Sequence, residues 1–396
     1  MIELVACCLF WLSLAGVLYC YAVYPLLIDA CARIWGRRRI APRVSRRDLP
    51  TATLLIVAHN EEAMIGRRIE NALAADYPQE RLTTVVALDG CSDRTAAIAR
   101  TYVDRGVTVL DFTERRGKAA TLNAAVAMLS SEIVVFSDAN TFFRASAVRR
   151  VARWFADRQV GVVCGRLVLT DPQTGQNVDS LYWRYETFLK LREARLGALL
   201  GANGAIYALR REEFMPLPPQ TVLDDFVLPL TAKLRSGAEI VYEPKATAWE
   251  ETPARISAEF GRRARIGAGG FQSLPMLRAI FALRHGWLLF AFVSHKLLRW
   301  TCPMFLLTML LAAAVLIERE LYRDLLIAQL AFYTLALVGA QVPGNSLAAR
   351  IVRLQAMFCG MNLALTVGLW RFLTGRQRAA WQPAERRAVS NLGSKR

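Results

Sequence analysis

Metal-binding and redox motifs are what this chain most plainly lacks. Its eight cysteines, at positions 7, 8, 20, 31, 91, 164, 302 and 359, include no CxxC pair, and no histidine stands near one at ligand spacing. That excludes a cysteine-built metal cluster and makes these thiols small buried hydrophobes of a reducing compartment. The phosphate-loop pattern G-x-x-x-x-G-K-[ST] is also missing, which excludes a P-loop nucleotidase. No basic leader precedes the first apolar run, so that run reads as an uncleaved anchor rather than a cleaved signal. Acid is scarce beside base: 33 Asp and Glu against 50 Lys and Arg give a net charge of +17. No nucleic-acid motif accompanies this excess. The arginines instead crowd beside apolar runs, where anionic headgroups attract each by about 1 kcal/mol. Membrane lipid, and no nucleic acid, is the partner expected.

What is present begins with those runs. Residues 1–34 carry acid only at Glu3 and Asp29, are long enough to span a bilayer core of about 30 Å, and lead into Arg33, Arg37, Arg38, Arg39, Arg43, Arg46 and Arg47. Further apolar runs occupy 301–317, 325–342 and 351–373. The positive-inside rule places 33–300 on the cytoplasmic side of the membrane. Three later crossings then conflict with a tail rich in arginine at 371, 376, 378, 386 and 387, and the side of that tail stays open. No run shows the central charge expected of a transporter's substrate path, which speaks against a transporter subunit or an inert scaffold.

Between the anchors, 54–140 reads as alternating strand and helix, the pattern of an α/β sheet. Three buried runs, Leu54-Leu55-Ile56-Val57, Val85-Val86-Ala87-Leu88 and Ile133-Val134-Val135-Phe136, each end in polar clusters. These are His59-Asn60-Glu61-Glu62, Asp89-Gly90-Cys91-Ser92-Asp93 and Asp138-Ala139-Asn140. Ends of parallel strands line one edge, where ligands bind, so the acids converge on a crevice for a phosphorylated, nucleotide-like ligand with a cation. Each signal has a plainer reading as well. Asn60 can cap the helix that follows, with two acids in its first turn. His59 is a base or a hydrogen-bonding loop residue. Asp93 caps a helix over 94–105 or reaches a base or ribose. Arg115-Arg116-Gly117-Lys118 is a surface turn or an anion site at a helix start. Asp138 and Asn140, two apart on extended chain, face one side and suit a hard cation shared with phosphates.

As an ordered set, these motifs resemble the inverting family 2 glycosyltransferases of GT-A fold. The match is to the membrane-embedded branch that includes cellulose, chitin, hyaluronan and poly-N-acetylglucosamine synthases, and it covers about 50–300. The resemblance implies an α/β fold class: a mostly parallel twisted sheet flanked by helices, with interfacial and transmembrane helices. Carried over by position, Asp89 and Asp93 hold uridine, while Glu61, Lys118 and Asp138 belong to the nucleotide-sugar pocket. Asp138 and Asn140 occupy the D-x-D metal site for Mg or Mn, with Asn140 departing from the usual second Asp. Asn203 and Gly204, within Gly201-Ala202-Asn203-Gly204-Ala205, lie beside the acceptor, though a strand with a glycine bend reads equally well. In Leu223-Asp224-Asp225-Phe226, Asp225 is the base and Asp224 supports it; a helix N-cap is the other reading. The Q-x-x-R-W element is represented by Arg262-Arg263-Ala264-Arg265-Ile266, without its Gln and Trp, and Arg262 and Arg265 remain to face the diphosphate. His295-Lys296-Leu297-Leu298-Arg299-Trp300 echoes its ending, and Trp300 is read as an interfacial anchor or as an acceptor platform.

The expected division is an anchor at 1–34, a basic linker at 35–49, a cytoplasmic catalytic domain at 50–252, interfacial amphipathic helices at 253–300, about three spans within 301–373, and a basic tail at 374–396. The expected activity is transfer of glucose or N-acetylglucosamine from a UDP-sugar to a growing β-linked exopolysaccharide, with export or accessory subunits implied by the family. The alternative is single transfer to a membrane lipid such as diacylglycerol, ceramide or polyprenyl phosphate.

Overall fold

A computed structural model describes residues 1–170, 181–251, 256–339 and 346–377. The tail's basic residues beyond 377, residues 252–255 and the end of the 325–342 run lie outside the described residues. The chain forms two compact units. One comprises Cys31–Ala258 and Ser273–Leu289, the other Met1–Ala30, Glu259–Gln272 and Phe290–Gln377.

The first unit is built on eight strands: β1 (Ala52–Ala58), β2 (Leu82–Asp89), β3 (Val107–Phe112), β4 (Ile133–Asp138), β5 (Thr141–Phe143), β6 (Val160–Thr170), β7 (Tyr207–Arg210) and β8 (Glu239–Glu251). They form one sheet in the order β3-β2-β1-β4-β7-β6-β8-β5. The strands β3, β2, β1 and β4 are parallel, whereas β7 runs antiparallel to both β4 and β6. Every residue of β1 is buried, as its unbroken apolar run requires of a strand covered on both faces.

The helix Ile65–Leu73 covers part of that sheet. It buries Ile65, Arg68, Ile69 and Ala72, the spacing of one helical face. This helix starts five residues later than Asn60, so the capping expectation for Asn60 is corrected. Asn60 takes a left-handed φ of 51° and exchanges hydrogen bonds with Ser92, its Nδ2 donating to Ser92 Oγ at 3.0 Å and its Oδ1 accepting from Ser92 N at 2.8 Å. A carboxamide used between loops is not available to a helix end.

The second unit carries most of the apolar helices. Among the described residues four helices are long and apolar enough to cross a membrane: Ile2–Ile34, Trp287–Val315, Glu320–Gly339 and Leu347–Leu373. They leave large apolar side chains bare, Leu337 at 79% and Leu363 at 58% among them, which suits lipid contact. Within the unit, Phe10 meets Tyr322 edge-on at 5.3 Å, and Trp11 Nε1 donates to Tyr322 Oη at 3.0 Å.

The second of these helices starts at Trp287, ahead of the expected 301. It therefore runs through Lys296 and Arg299, both expected to lie ahead of the apolar run. Arg299 is only 8% exposed, its guanidinium 5.5 Å over the Tyr21 ring. The anchor reading of Trp300 is corrected too. Its indole is 8% exposed and leans on Phe271 and Phe292, so close to Gly270 that a Cβ there would come within 2.8 Å of the ring.

Candidate active site

Strand register brings the polar ends to one edge. Val57 of β1 pairs with Asp138 of β4, and Ala58 pairs with Leu88 of β2, so Asp138 and Asp89 leave the sheet beside the end of β1. Because β7 is antiparallel to β4, with Phe136 opposite Tyr207, it starts where β4 stops. The loop Gly201-Ala202-Asn203-Gly204 is thereby delivered to the same edge, and the helix Asp224–Ser236 joins it through its first turn.

Lys118 stands at the centre, as the first residue of the helix Lys118–Ala127. Its Nζ lies 2.8 Å from Asp138 Oδ1 and 3.2 Å from Asp224 Oδ1. Burial works to lower the pKa of this ammonium, but the charges of Asp138, Asp224 and Asp225 outweigh burial and hold it raised. The site thus keeps a fixed cation. Asp224 is 5% exposed and also accepts a 3.2 Å hydrogen bond from the Tyr207 hydroxyl. That phenol is held protonated by its own burial and by the neighbouring acids.

Asp225 is used differently. Its Oδ2 accepts from Gly204 N at 2.7 Å, and its backbone oxygen accepts from Ala202 N at 2.8 Å. Burial and then the Asp224 charge push its carboxyl up to about 6, while Lys118 and the Gly204 amide restrain the rise. The helix has Leu223 at its N-cap with no side-chain cap hydrogen bond. The Asp225 carboxylate binds a different loop instead of capping its own helix. A Cβ at Gly204 would stand 3.3 Å from Asp225 Oδ2 and 3.7 Å from Asp138 Oδ2, so the absent side chain keeps open the space between two carboxylates.

The flanking loops hold the remaining sequence-selected acids. Asp89 is 4% exposed, and its carboxylate accepts from Arg116 N at 2.8 Å and from Gly117 N at 3.1 Å, which fixes the loop that presents Lys118. The turn between needs Gly90: its φ is +59°, and a Cβ would fall 2.4 Å from Arg115 N. Asp93 accepts from Thr95 N at 2.9 Å and from Glu62 N at 3.2 Å. Partial burial opposes it, yet hydrogen bonds from Thr95 and Glu62 hold this carboxyl below the ordinary range. Glu61 is 6% exposed, its amide donating to Thr95 Oγ1 at 2.8 Å. His59 Nδ1 lies 2.6 Å from the Asp89 carbonyl, the loop role that a strand-end histidine suggests.

Asn140 lies in a turn after β4 rather than on extended chain, which corrects the expected same-side geometry with Asp138. It is 6% exposed and its Nδ2 donates to Glu250 Oε1 at 3.0 Å. Nitrogen engaged in this way leaves the carboxamide oxygen as the atom offered to a cation. Among the described residues no group of three or more His, Cys, Asp or Glu forms a metal cage. A hard oxygen set of Asp138 and Asn140 still fits a magnesium- or manganese-like ion, which takes one or two protein carboxylates and completes its shell with substrate phosphates and water.

Asn203 is tied down by Lys190 Nζ and by its own Nδ2, which donates to Gly165 O at 2.8 Å. Arg262, Arg265 and Trp300 belong to the other unit. There Arg262 is paired with Glu259, Nε to Oε2 at 2.9 Å. Sequence reasoning missed Tyr207 and Glu250, whose partners lie 17 and 110 positions away; no local motif marks either.

Residues 53–215 match the family model described as glycosyl transferase family 2. A poly-beta-1,6-N-acetyl-D-glucosamine synthase of Staphylococcus aureus is 25% identical over 254 residues, covering 61% of this chain and 59% of that protein. The probable glycosyltransferase YdaM of Bacillus subtilis is 24% identical over 265 residues, covering 63% of this chain and 62% of that protein. The aligned part of the chain thus spans about three fifths of the length of these curated relatives. A solved structure, mannosyltransferase PcManGT from Pyrobaculum calidifontis in complex with GDP-Man and Mn2+, superposes with a TM-score of 0.69 at 20% identity, covering 95% of this chain and 100% of that one. The fold is GT-A, with four helices among the described residues apolar enough to cross a membrane.

Proposed function

We propose, from the match of residues 53–215 to the glycosyl transferase family 2 model, that the protein is an inverting, membrane-bound hexosyltransferase with Asp225 as its base. One observation supports this above the rest: the Asp225 carboxylate, with its pKa pushed up to about 6, sits on the Gly204 amide beside the Lys118–Asp138 pair. A base must be ionised at working pH and still take a proton readily, and a pKa just below neutrality meets both demands.

The step balances simply. Asp225 takes the proton of the acceptor hydroxyl as its oxygen forms a bond to the anomeric carbon. The bond from that carbon to the diphosphate breaks on the opposite face, and the nucleoside diphosphate leaves with the electron pair. Lys118 is assigned to the negative charge that develops there. A divalent ion held by Asp138 and Asn140 supplies further neutralisation of the diphosphate when bound. Asp89, Asp93 and Glu61 shape the nucleotide pocket, and Gly204 with Asn203 borders the acceptor.

The donor is proposed to be UDP-glucose or UDP-N-acetylglucosamine and the acceptor a β-linked polysaccharide, by likeness to the staphylococcal synthase. The catalytic unit then faces the cytoplasm of the inner membrane, with export or accessory subunits as partners. A second acceptor, a membrane lipid, gains support from Trp300, whose buried indole is not laid open as a sugar platform. Purified protein in nanodiscs, given each UDP-sugar with manganese or magnesium, tests the proposal. A ladder of oligosaccharides supports the polymer, a single sugar on extracted lipid supports the second acceptor, and UDP release that survives Asp225→Asn overturns the assignment of the base.

A further inference from the structure

The helix Ile65–Leu73 buries a charge that the chemistry above leaves unused. Arg68 is 0% exposed in the middle of an otherwise apolar stripe. Its Nε and Nη2 donate to Ser137 Oγ at 3.3 and 3.1 Å, its Nη1 donates to Asn71 Oδ1 at 3.1 Å, and its guanidinium lies 4.5 Å over the Phe143 ring. Asn71 in turn receives the Phe143 amide at 2.7 Å and donates to the Phe143 carbonyl at 2.9 Å. Among the described residues Arg68 has no carboxylate in ion-pair contact; Asp138 acts on it only at longer range. Burial pushes the guanidinium down to about 9, and the Asp138 charge works against that fall.

These contacts have a direction. Ser137 precedes Asp138, and Phe143 ends β5, so Arg68 grips the Asp138–Asn140 turn on both sides from behind. An uncompensated buried cation is a poor choice for packing, since an apolar side chain of similar volume costs the fold less. The turn also lacks an acid at position 140, so its single carboxylate is Asp138, which is already paired with Lys118 at 2.8 Å. We infer that Arg68 is a positioning residue for the donor: it pins the turn and adds a fixed positive charge that an incoming nucleoside diphosphate completes. This rests on the nucleotide-sugar reading. Its consequence is that diphosphate binding depends less on a divalent ion than an all-acid turn would require.

The full chain in nanodiscs, titrated calorimetrically with UDP with and without manganese, tests this in Arg68→Gln, which loses the charge, and Arg68→Lys, which keeps it. Arg68→Gln is expected to weaken metal-free UDP binding about tenfold, the effect of one fixed charge acting through the Asp138 turn in a poorly screened site, and Arg68→Lys to recover most of it. Wild-type affinity in Arg68→Gln, or equal loss in both variants, overturns the inference and leaves a packing role. Should Arg68→Gln fail to fold, Ser137→Ala, which cuts the tie to the Asp138 strand, decides: unchanged UDP binding overturns the inference and severalfold weakening upholds it. Wild-type protein that binds no UDP removes the nucleotide-sugar reading itself, an outcome distinct from tight wild-type binding that Arg68→Gln leaves intact.

Discussion

Asp225→Asn is expected to abolish transfer while making the protein more stable above pH 6. The Asp225 carboxyl is pushed up to about 6 by burial and by Asp224, about two pH units above an ordinary aspartate. The sign follows from proton linkage. Between the unfolded and folded pKa values the folded state binds more protons, so the site's contribution is fully present below about pH 4 and is lost as pH rises through about 6. Above that, holding the ionised carboxylate costs the fold about 1–3 kcal/mol. Asparagine removes the charge, and its carbonyl oxygen can still accept from Gly204 N, so the 2.7 Å bond need not be lost. At a few degrees per kcal/mol, the melting temperature at pH 8 should rise by about 3–8 °C over wild type, and the gap should close at pH 4.5. Thermal unfolding of both proteins in the same nanodiscs at the two pH values, paired with a UDP-release assay, measures this. A melting temperature at pH 8 equal to or below wild type would refute the argument that Asp225 is held ionised against its surroundings.

Other outcomes follow from the same geometry. Turnover of the wild type should rise with pH along a limb centred near 6, where Asp225 loses its proton. Lys118→Met leaves Asp138, Asp224 and Asp225 without their shared counter-charge, so that limb should move to higher pH and the melting temperature at pH 8 should fall. Gly204→Ala places a Cβ 3.3 Å from Asp225 Oδ2; turnover should drop at least tenfold with a stability loss under about 1 kcal/mol, the pattern of a displaced base in an intact fold. Gly90→Ala meets both a φ of +59° and backbone at 2.4 Å, and should destabilise by about 2 kcal/mol or more, read in denaturant midpoints.

The parallel half of the sheet was legible because β1, β2 and β4 are apolar runs ending abruptly in polar clusters, and a strand's end fixes which edge it serves. Asp138 stood out as the acid ending a buried strand, Asp225 came only from the family resemblance, and both carboxylates lie near Gly204. What sequence could not show is pairing across distance. Asn60 looks like a cap until its partner Ser92, 32 positions on, is seen to hold it. Nothing in the local sequence singles out Arg68, and only the helix's orientation makes it core. The start of the second long apolar helix was not legible because polar His295, Lys296 and Arg299 interrupt its hydropathy, although the helix runs through them from Trp287.

Strand β7 gives the site a ruler. Four paired positions, Ile133 with Arg210 through Phe136 with Tyr207, measure out how far the Gly204 amide stands from Asp138. A slip of a single residue along that ladder would carry the loop about 3.3 Å away and turn its pairing side over. The span between the carboxylate assigned to the sugar donor's phosphates and the one assigned to the acceptor's proton is therefore calibrated by main-chain pairing, and side chains around it can be exchanged without changing the gauge.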